Sequence, residues 1–185
     1  MNVSGERRFD APVATVWSVL NDPSQMAKTM PGVESFDIHD DKHWRAHVKV
    51  PLGLGGLRMS IDFEKTEERE LEFASLHAKG QGVGAMMNMQ TSFTLSDAPE
   101  GGTAMAWSAD VKIAGPVGSM GQRVLQPIVN QQVQHVLTAL DGEVQAAIGQ
   151  GGGEPATHGA EEGISPASPE AYEADPEGPT TSTED

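Results

Sequence analysis

An α+β fold, with one antiparallel sheet covered by a terminal helix, is what this sequence predicts, and three observations carry the expectation. Between His43 and Ala114, four stretches alternate apolar and polar residues with a period of two. From Pro116 onward the apolar residues recur at three- and four-residue steps instead. Ahead of the strands, two short segments carry helix-start signals. A run of strands closed by one long helix buries its apolar face by laying the helix across the sheet.

Taken in order, Asn2 to Asp10 reads as a strand whose alternation Arg7 interrupts. "DAPVATVWSVLND" predicts a helix, with Asp10 as N-cap, Pro12 in the first turn, and Val13, Val16, Trp17 and Leu20 on one face. "DPSQMAKTM" restarts with a capping residue and a proline, a second short helix that Pro31-Gly32 ends. "HWRAHVKV" sets Trp44, Ala46, Val48 and Val50 against His43, Arg45, His47 and Lys49. "LRMSIDFEK" sets Leu57, Met59, Ile61 and Phe63 against Arg58, Ser60, Asp62 and Glu64. "AMMNMQTSFTL" and "AMAWSADVKIA" do the same, with Met87, Met89, Phe93 and Leu95 in the first and Met105, Trp107, Val111 and Ile113 in the second. "VESFDIHD" and "ELEFASLHA" alternate less cleanly, and turns fall at "DDK", "GLGG", "EERE", "GQGVG" and "PEGG". One face of such a sheet is buried and the other meets water. The closing helix carries Val117, Met120, Val124, Ile128, Val136, Leu140, Val144 and Ile148, widened by Val133 and Leu137, and Pro127 is expected to bend it.

The domain boundary is compositional. Residues 1–148 form the expected folded domain, and residues 149–185, rich in Gly, Pro, Ser, Thr and Glu, form an expected disordered acidic tail. The net charge of −15 divides unevenly: residues 1–150 hold all 12 Lys and Arg against 18 acids, and residues 151–185 add 9 acids and no base. An acidic body without a basic patch predicts no nucleic-acid partner. The absence of cysteine excludes disulfides, thiolate metal sites and thiol nucleophiles. "MNVSGERRFD" lacks a secretory signal and no apolar run suits a membrane span, so a cytoplasmic location is expected.

The element order resembles the helix-grip fold of the START-like (SRPBCC) superfamily, in which a curved seven-stranded sheet wraps a C-terminal helix. "FDAPVATVWSVLNDPSQMAKTMPGV" is similar to the opening of the CoxG family, the G-type subunits of carbon monoxide dehydrogenase, with a Phe and a Pro before the first helix, a Val-Trp within it, and Asp-Pro leading to Pro-Gly. "ADVKIAGPVGSMGQRVL" is similar to that family's last strand and the glycine-marked start of its final helix, so the resemblance spans residues 2–148. It implies a non-enzymatic accessory protein that works beside a molybdenum-containing dehydrogenase. It also implies docking of that enzyme at the inner face of the cytoplasmic membrane, and an apolar ligand such as a quinone or lipid in the cavity, with no covalently bound cofactor. The chain departs from the family where members bind membranes through an apolar or amphipathic extension: its own tail is acidic. Anionic headgroups repel such a tail, so anchoring through it is not expected, and peripheral contact through the cavity mouth stays open.

Reactive groups are sparse. His43 and His47 share a spacing that suits one metal ion only on a helix, because four strand residues span about 13 Å; they read as solvated-face histidines, and no metal site is expected. His77 shares a parity with Phe73 and Ser75, and either points inward to orient a ligand carbonyl or lies on the surface. The glycine-rich stretches around residues 51–56 and 80–85 precede strands and match no phosphate-binding spacing, so they read as turns. "EKTEERELE" reads as a solvated edge. The buried parities carry almost only apolar residues, which suits binding better than acid–base catalysis, and no catalytic residue is assigned.

The methionines are the sharper signal, since eight fall in the body after Met1 and methionine suits surfaces that adapt to flexible apolar partners. They either fill the core or line a cavity. Met87, Met89, Met105 and Trp107 share the concave face, Phe73, Phe93, Val124 and Ile128 complete its wall, and the helix-grip resemblance puts Met30 and Met120 at the rim. Three readings result. An apolar-ligand carrier serving a redox enzyme predicts an extractable ligand. A START-like enzyme of the polyketide-cyclase or hydrolase type requires converging polar groups, for which Arg7 and His77 are the candidates. A structural interaction module would have those methionines as plain core.

Overall fold

A computed structural model describes residues 1–52 and 56–151 of the chain. The "GLGG" turn falls almost wholly on residues 53–55, and the tail from residue 152 onward likewise lies outside the described residues. Seven strands form one antiparallel sheet: β1 (Asn2–Phe9), β2 (Val33–Ile38), β3 (His43–Val50), β4 (Leu57–Arg69), β5 (Phe73–Gly82), β6 (Ala85–Asp97) and β7 (Thr103–Ala114). Two short helices, α1 (Val13–Asn21) and α2 (Pro23–Thr29), join β1 to β2, and a long helix, α3 (Gln122–Gly151), follows β7. The sheet order β1-β7-β6-β5-β4-β3-β2 makes β1 and β2 the two edges, with every strand from β2 to β7 beside its sequence neighbours. This is the helix-grip arrangement.

The period-two pattern becomes two faces because directly opposed residues of antiparallel strands share a side. Ala46, Ile61, Gly80 and Met87 stand in register across β3 to β6 on the buried side, and Arg45, Asp62, Lys79 and Asn88 on the other. The sequence pattern assigns β3, β4, β6 and β7 to their faces as the structure does. It misleads on β5. There the buried set is Ala74, Ala78 and Gly80, opposite Phe93, Met89 and Met87, while Phe73, Ser75 and His77 face outward. Bulky β6 side chains fill the space above β5, so β5 presents small residues inward, and small residues give a weak hydrophobic signal.

Two bulges bend the sheet, one between Val33 and Ser35 and one between Lys65 and Glu67. At two positions the surroundings call for glycine. Gly32 has φ +74, and a β-carbon there would run into the Lys49 carbonyl, while Lys49 donates its N–H to the Gly32 carbonyl at 2.8 Å. Gly5 pairs with Trp107, whose indole occupies the space a side chain would need.

The helices begin where local chemistry allows. Asp22 caps α2, accepting from the Ser24 N–H at 2.8 Å and the Ser24 hydroxyl at 2.6 Å. Those bonds hold its carboxyl below the ordinary value of 3.8, the Ser24 side chain contributing most. Asp10 does not cap α1, contrary to the sequence expectation. Pro12 is the N-cap, and its carbonyl accepts from Thr15 and Val16. The buried Thr103 hydroxyl donates to the Ala11 carbonyl at 2.7 Å and so fixes the chain just ahead of that cap.

The stripe on the last helix also needs correction. A 3-10 turn (Gly118–Met120) and Gly121, with φ +82, precede α3 and reset its phase. Leu125, Leu137, Leu140 and Val144 are buried, whereas Met120, Val124 and Ile148 are exposed. A count that starts at Val117 carries the periodicity through a segment that is not α-helical. Pro127 does lie within α3, which leaves the Arg123 carbonyl without its helical donor. The helix continues through Gly151, three residues beyond the compositional boundary.

Candidate functional site

The concave face carries two apolar clusters, and they differ in what covers them. The first joins Phe9, Phe93, Leu95 and Met105 of the sheet to Val16, Trp17 and Val19 of α1 and Leu137, Leu140 and Val144 of α3. Trp17 meets Phe93 edge-on, with ring centroids 6.1 Å apart. This half is closed core.

The second cluster has a buried floor of Ala46, Val48, Met59, Ile61, Ala78 and Ala85. Around it stand Met30, Val33, Phe36, Val50, Leu57, Phe63, Met87, Met89 and Val117, all only partly buried. Among the described residues, none of α3 belongs to it. Half of the floor is alanine, and the partly buried rim gathers at the end of the sheet where β3 meets β4 and β5 meets β6, so this is the half of the face that stays partly open. Phe63 stacks on Trp44 at 5.7 Å and 10°, at the side away from that end.

Charged groups on this face are committed to partners. Arg7 projects toward α3 and holds Asp141 through two contacts, Nε to Oδ1 at 3.2 Å and a second from Nη2 to Oδ2. Lys65, nearly buried, bonds the Asn21 side chain and pairs with Glu68 at 2.9 Å, and Asn21 in turn donates to Glu68 at 3.0 Å. These pairs tie the helices to the sheet, and each acid is engaged by its own base instead of converging with others on one point. His77 lies on the outer face, 3.1 Å from Asn88. His43 and His47 are also outward, and His43 bonds Asp40 at 2.9 Å. Among the described residues, no group of three His, Cys, Asp or Glu is placed to hold a metal ion.

Two depressions lie elsewhere. The larger, about 710 Å³, crosses the outer face over a row of hydroxyls in register, Ser4, Ser108, Ser92 and Ser75, with Thr66 beside them. Thr66 pairs with Ser75 at 2.8 Å and Ser92 with Ser108 at 3.3 Å, so volume alone does not make a site there. The smaller, about 360 Å³, lies between β1 and α3 and is lined by Trp107, Val133, Gln126, Asn130 and Gln134. Among the described residues, the buried Trp107 Nε1 meets no hydrogen-bond acceptor there.

The predicted lining residues therefore separate. Met30, Met87 and Met89 meet in the open cluster. Phe93 and Met105 are core of the closed one, with Trp107 packed against it. Met120 and Val124 are 48% and 43% exposed beside the open end, and Ile128 is partly buried on α3. Phe73 is on the opposite side of the sheet, where Arg69 lies 4.7 Å over its ring. Val33, Phe36, Val50, Leu57, Phe63 and Val117 are lining residues that the methionine signal does not reach, although the alternation of β3 and β4 already puts Val50, Leu57 and Phe63 on the right face.

Comparison with known proteins bears on this arrangement. The family model for CoxG, the G-type subunit of carbon monoxide dehydrogenase, matches residues 5–145. No curated protein matches the chain. Among solved structures, a conserved protein from Geobacillus kaustophilus superposes with a TM-score of 0.74 at 20% identity, covering 80% of this chain and 97% of its own. The Zhui aromatase/cyclase from Streptomyces sp. R1128 superposes with a TM-score of 0.64 at 18% identity, covering 83% and 99%. A START superfamily protein from Mycobacterium smegmatis gives 0.60 at 16%, covering 78% and 97%. At these identities the structural likeness establishes the START-like fold.

Proposed function

The chain belongs to the CoxG family of carbon monoxide dehydrogenase, and from that premise we propose that it is a non-enzymatic accessory protein that holds an apolar molecule in the open half of its concave face. One observation carries the reading: Met30, Met87, Met89, Phe36, Phe63 and Val117 stay partly exposed around a buried, alanine-rich floor, in a cluster that no described residue of α3 joins. A face of that kind suits a flexible apolar ligand, because methionine adapts its shape to what it packs against. A quinone or another lipid-like molecule fits that chemistry. The pairing of Arg7 with Asp141 and of Lys65 with Glu68 favours binding over the acid–base chemistry of a cyclase. The enzyme it serves is a molybdenum-containing dehydrogenase of the carbon monoxide dehydrogenase type, which the protein helps recruit to the membrane.

Organic extraction of protein purified from a membrane-containing host, followed by mass spectrometry, tests this. A stoichiometric apolar molecule is the expected result, lost when Met87→Glu is introduced. A clean blank from the unaltered protein would overturn it. Co-purification of the dehydrogenase tests the partner separately.

A further inference from the structure

The two edges of the sheet are unlike. β2 has six residues, is broken by the bulge between Val33 and Ser35, and carries Glu34 and Asp37. Short length, a bulge and charge all keep an edge from pairing with another chain. β1 has eight residues and pairs with β7 from Asn2 to Phe9 without a bulge. Met1 and Val111 exchange both backbone hydrogen bonds, the Met1 nitrogen to the Val111 carbonyl at 2.6 Å and the Val111 N–H to the Met1 carbonyl at 2.8 Å. Such pairs alternate along an antiparallel ladder with pairs that exchange none. Val3, Gly5, Arg7 and Phe9 therefore bond β7, and Asn2, Ser4, Glu6 and Arg8 turn their N–H and carbonyl groups outward. Among the described residues, no backbone hydrogen bond reaches those four from the open side.

Beside this edge lies the cleft of about 360 Å³, bounded by Asn2, Val3 and Ser4 on the strand and by Gln126, Asn130 and Gln134 on α3. The three amides stand four residues apart and so share one helix face, which is uncharged in a chain of net charge −15. Gln126 donates to the Asn130 side-chain oxygen at 3.0 Å, which leaves the Gln126 oxygen free to accept. The Trp107 Nε1 donor, buried against this cleft, lacks an acceptor among the described residues. An open strand edge and an unanswered buried donor thus lie side by side.

We propose that two copies of this chain join along β1, antiparallel about a two-fold axis, into one continuous sheet. The sequence of β1 is complementary to itself. An added strand has to place Asn2, Ser4, Glu6 and Arg8 in its bonded pairs. A second β1 does so for all four in a single register, with Asn2 opposite Arg8, Ser4 opposite Glu6, and the axis between the two copies of Gly5. Shifting by two residues one way opposes Glu6 to Glu6, and the other way leaves Arg8 unpaired. The full register opposes no like charges. At the axis glycine faces glycine, so the indole that overlies each Gly5 keeps its place. The cleft is the room that the added strand needs below α3, and the uncharged amide faces of the two helices turn toward each other there and supply the acceptor for Trp107 Nε1. The proposal does not depend on what the concave face binds.

Sedimentation equilibrium of the full chain over a dilution series tests it. A reversible dimer is expected, and because both copies are acidic it is expected to tighten as salt is added. Ser4→Pro removes an outward N–H but none of the bonds to β7, and is expected to weaken association about tenfold while thermal unfolding changes little. The chain has no cysteine, so introduced thiols report the register. A mixture of Ser4→Cys and Glu6→Cys chains is expected to cross-link on mild oxidation and either alone is not, since opposed residues lie about 5.5 Å apart and diagonal ones about 7–8 Å. A monomer at every concentration overturns the proposal, as does a dimer that ignores Ser4→Pro. If Ser4→Pro does not fold, the thiols decide: equal cross-linking by the mixture and by either variant alone overturns it. Capture of another protein's strand by a chain that stays monomeric overturns it too.

Discussion

The indole of Trp107 lies across the backbone of Gly5, so that a β-carbon on Gly5 would sit 3.0 Å from the ring. The two residues are paired in register between the edge strand and its neighbour. Trp107 thereby reaches β1, and its ring floors the cleft below α3. Gly5→Ala is expected to cost about 1 kcal/mol, because the ring must give by a few tenths of an ångström and borders the cleft on one side. Trp107→Phe in the same background is expected to restore part of the loss. A double-mutant cycle by denaturant unfolding measures the coupling, and additive effects would sink the account.

Arg7 and Asp141 couple the same edge strand to the second half of α3. Both side chains are about a third exposed, at 37% and 33%, so water and salt weaken the pair. Removing either partner is expected to cost about 1 kcal/mol or less, with a coupling of about 0.5 kcal/mol that shrinks as salt is added. A larger, salt-insensitive loss in the cycle would mean that Arg7 contributes through packing of its stem instead.

How much of this is legible in the sequence depends on residue size. Strands β3, β4, β6 and β7 can be read because large apolar residues alternate with polar ones, and direct opposition then fixes each face. Strand β5 cannot, because the side it buries is Ala74, Ala78 and Gly80, and the eye follows Phe73 instead. The start of α3 misleads for a related reason: Val117 and Met120 continue the apolar spacing, but a 3-10 turn and Gly121 break the phase before Leu125. Sequence can name the methionines of the concave face but not divide them. Whether a helix covers Met105 and leaves Met87 open is a matter of where α3 crosses the sheet, and no local pattern encodes that.

Asp22 makes the start of α2 sensitive to acid. Its carboxylate accepts from Ser24 twice, and those bonds stabilise the ionised form, lowering its pKa below 3.8. A carboxyl with a depressed folded-state pKa binds its proton more readily when unfolded. Its contribution is therefore complete above the ordinary value and is lost as pH falls through the lowered one. Asp22→Ala is expected to cost about 1 kcal/mol at neutral pH, and the difference from the unaltered protein is expected to vanish in strong acid. Thermal unfolding across that pH range checks it, and a constant difference would show that the cap is not what Asp22 provides.

The two clusters should answer differently to the same change. Met105 is 3% exposed inside the closed half, and truncating it leaves a void among Trp17, Phe93 and Leu140. Met105→Ala is expected to cost about 2–5 kcal/mol. Met87 borders the open half and is already partly in water, so Met87→Ala loses fewer contacts and is expected to cost about 1 kcal/mol or less. If the open half holds an apolar molecule, Met87→Ala also lowers its occupancy in extracts while Met105→Ala, in whatever fraction stays folded, does not. Equal stability losses at the two positions would mean that Met87 is covered as Met105 is. The open concavity, and with it the binding role, would then have no structural basis.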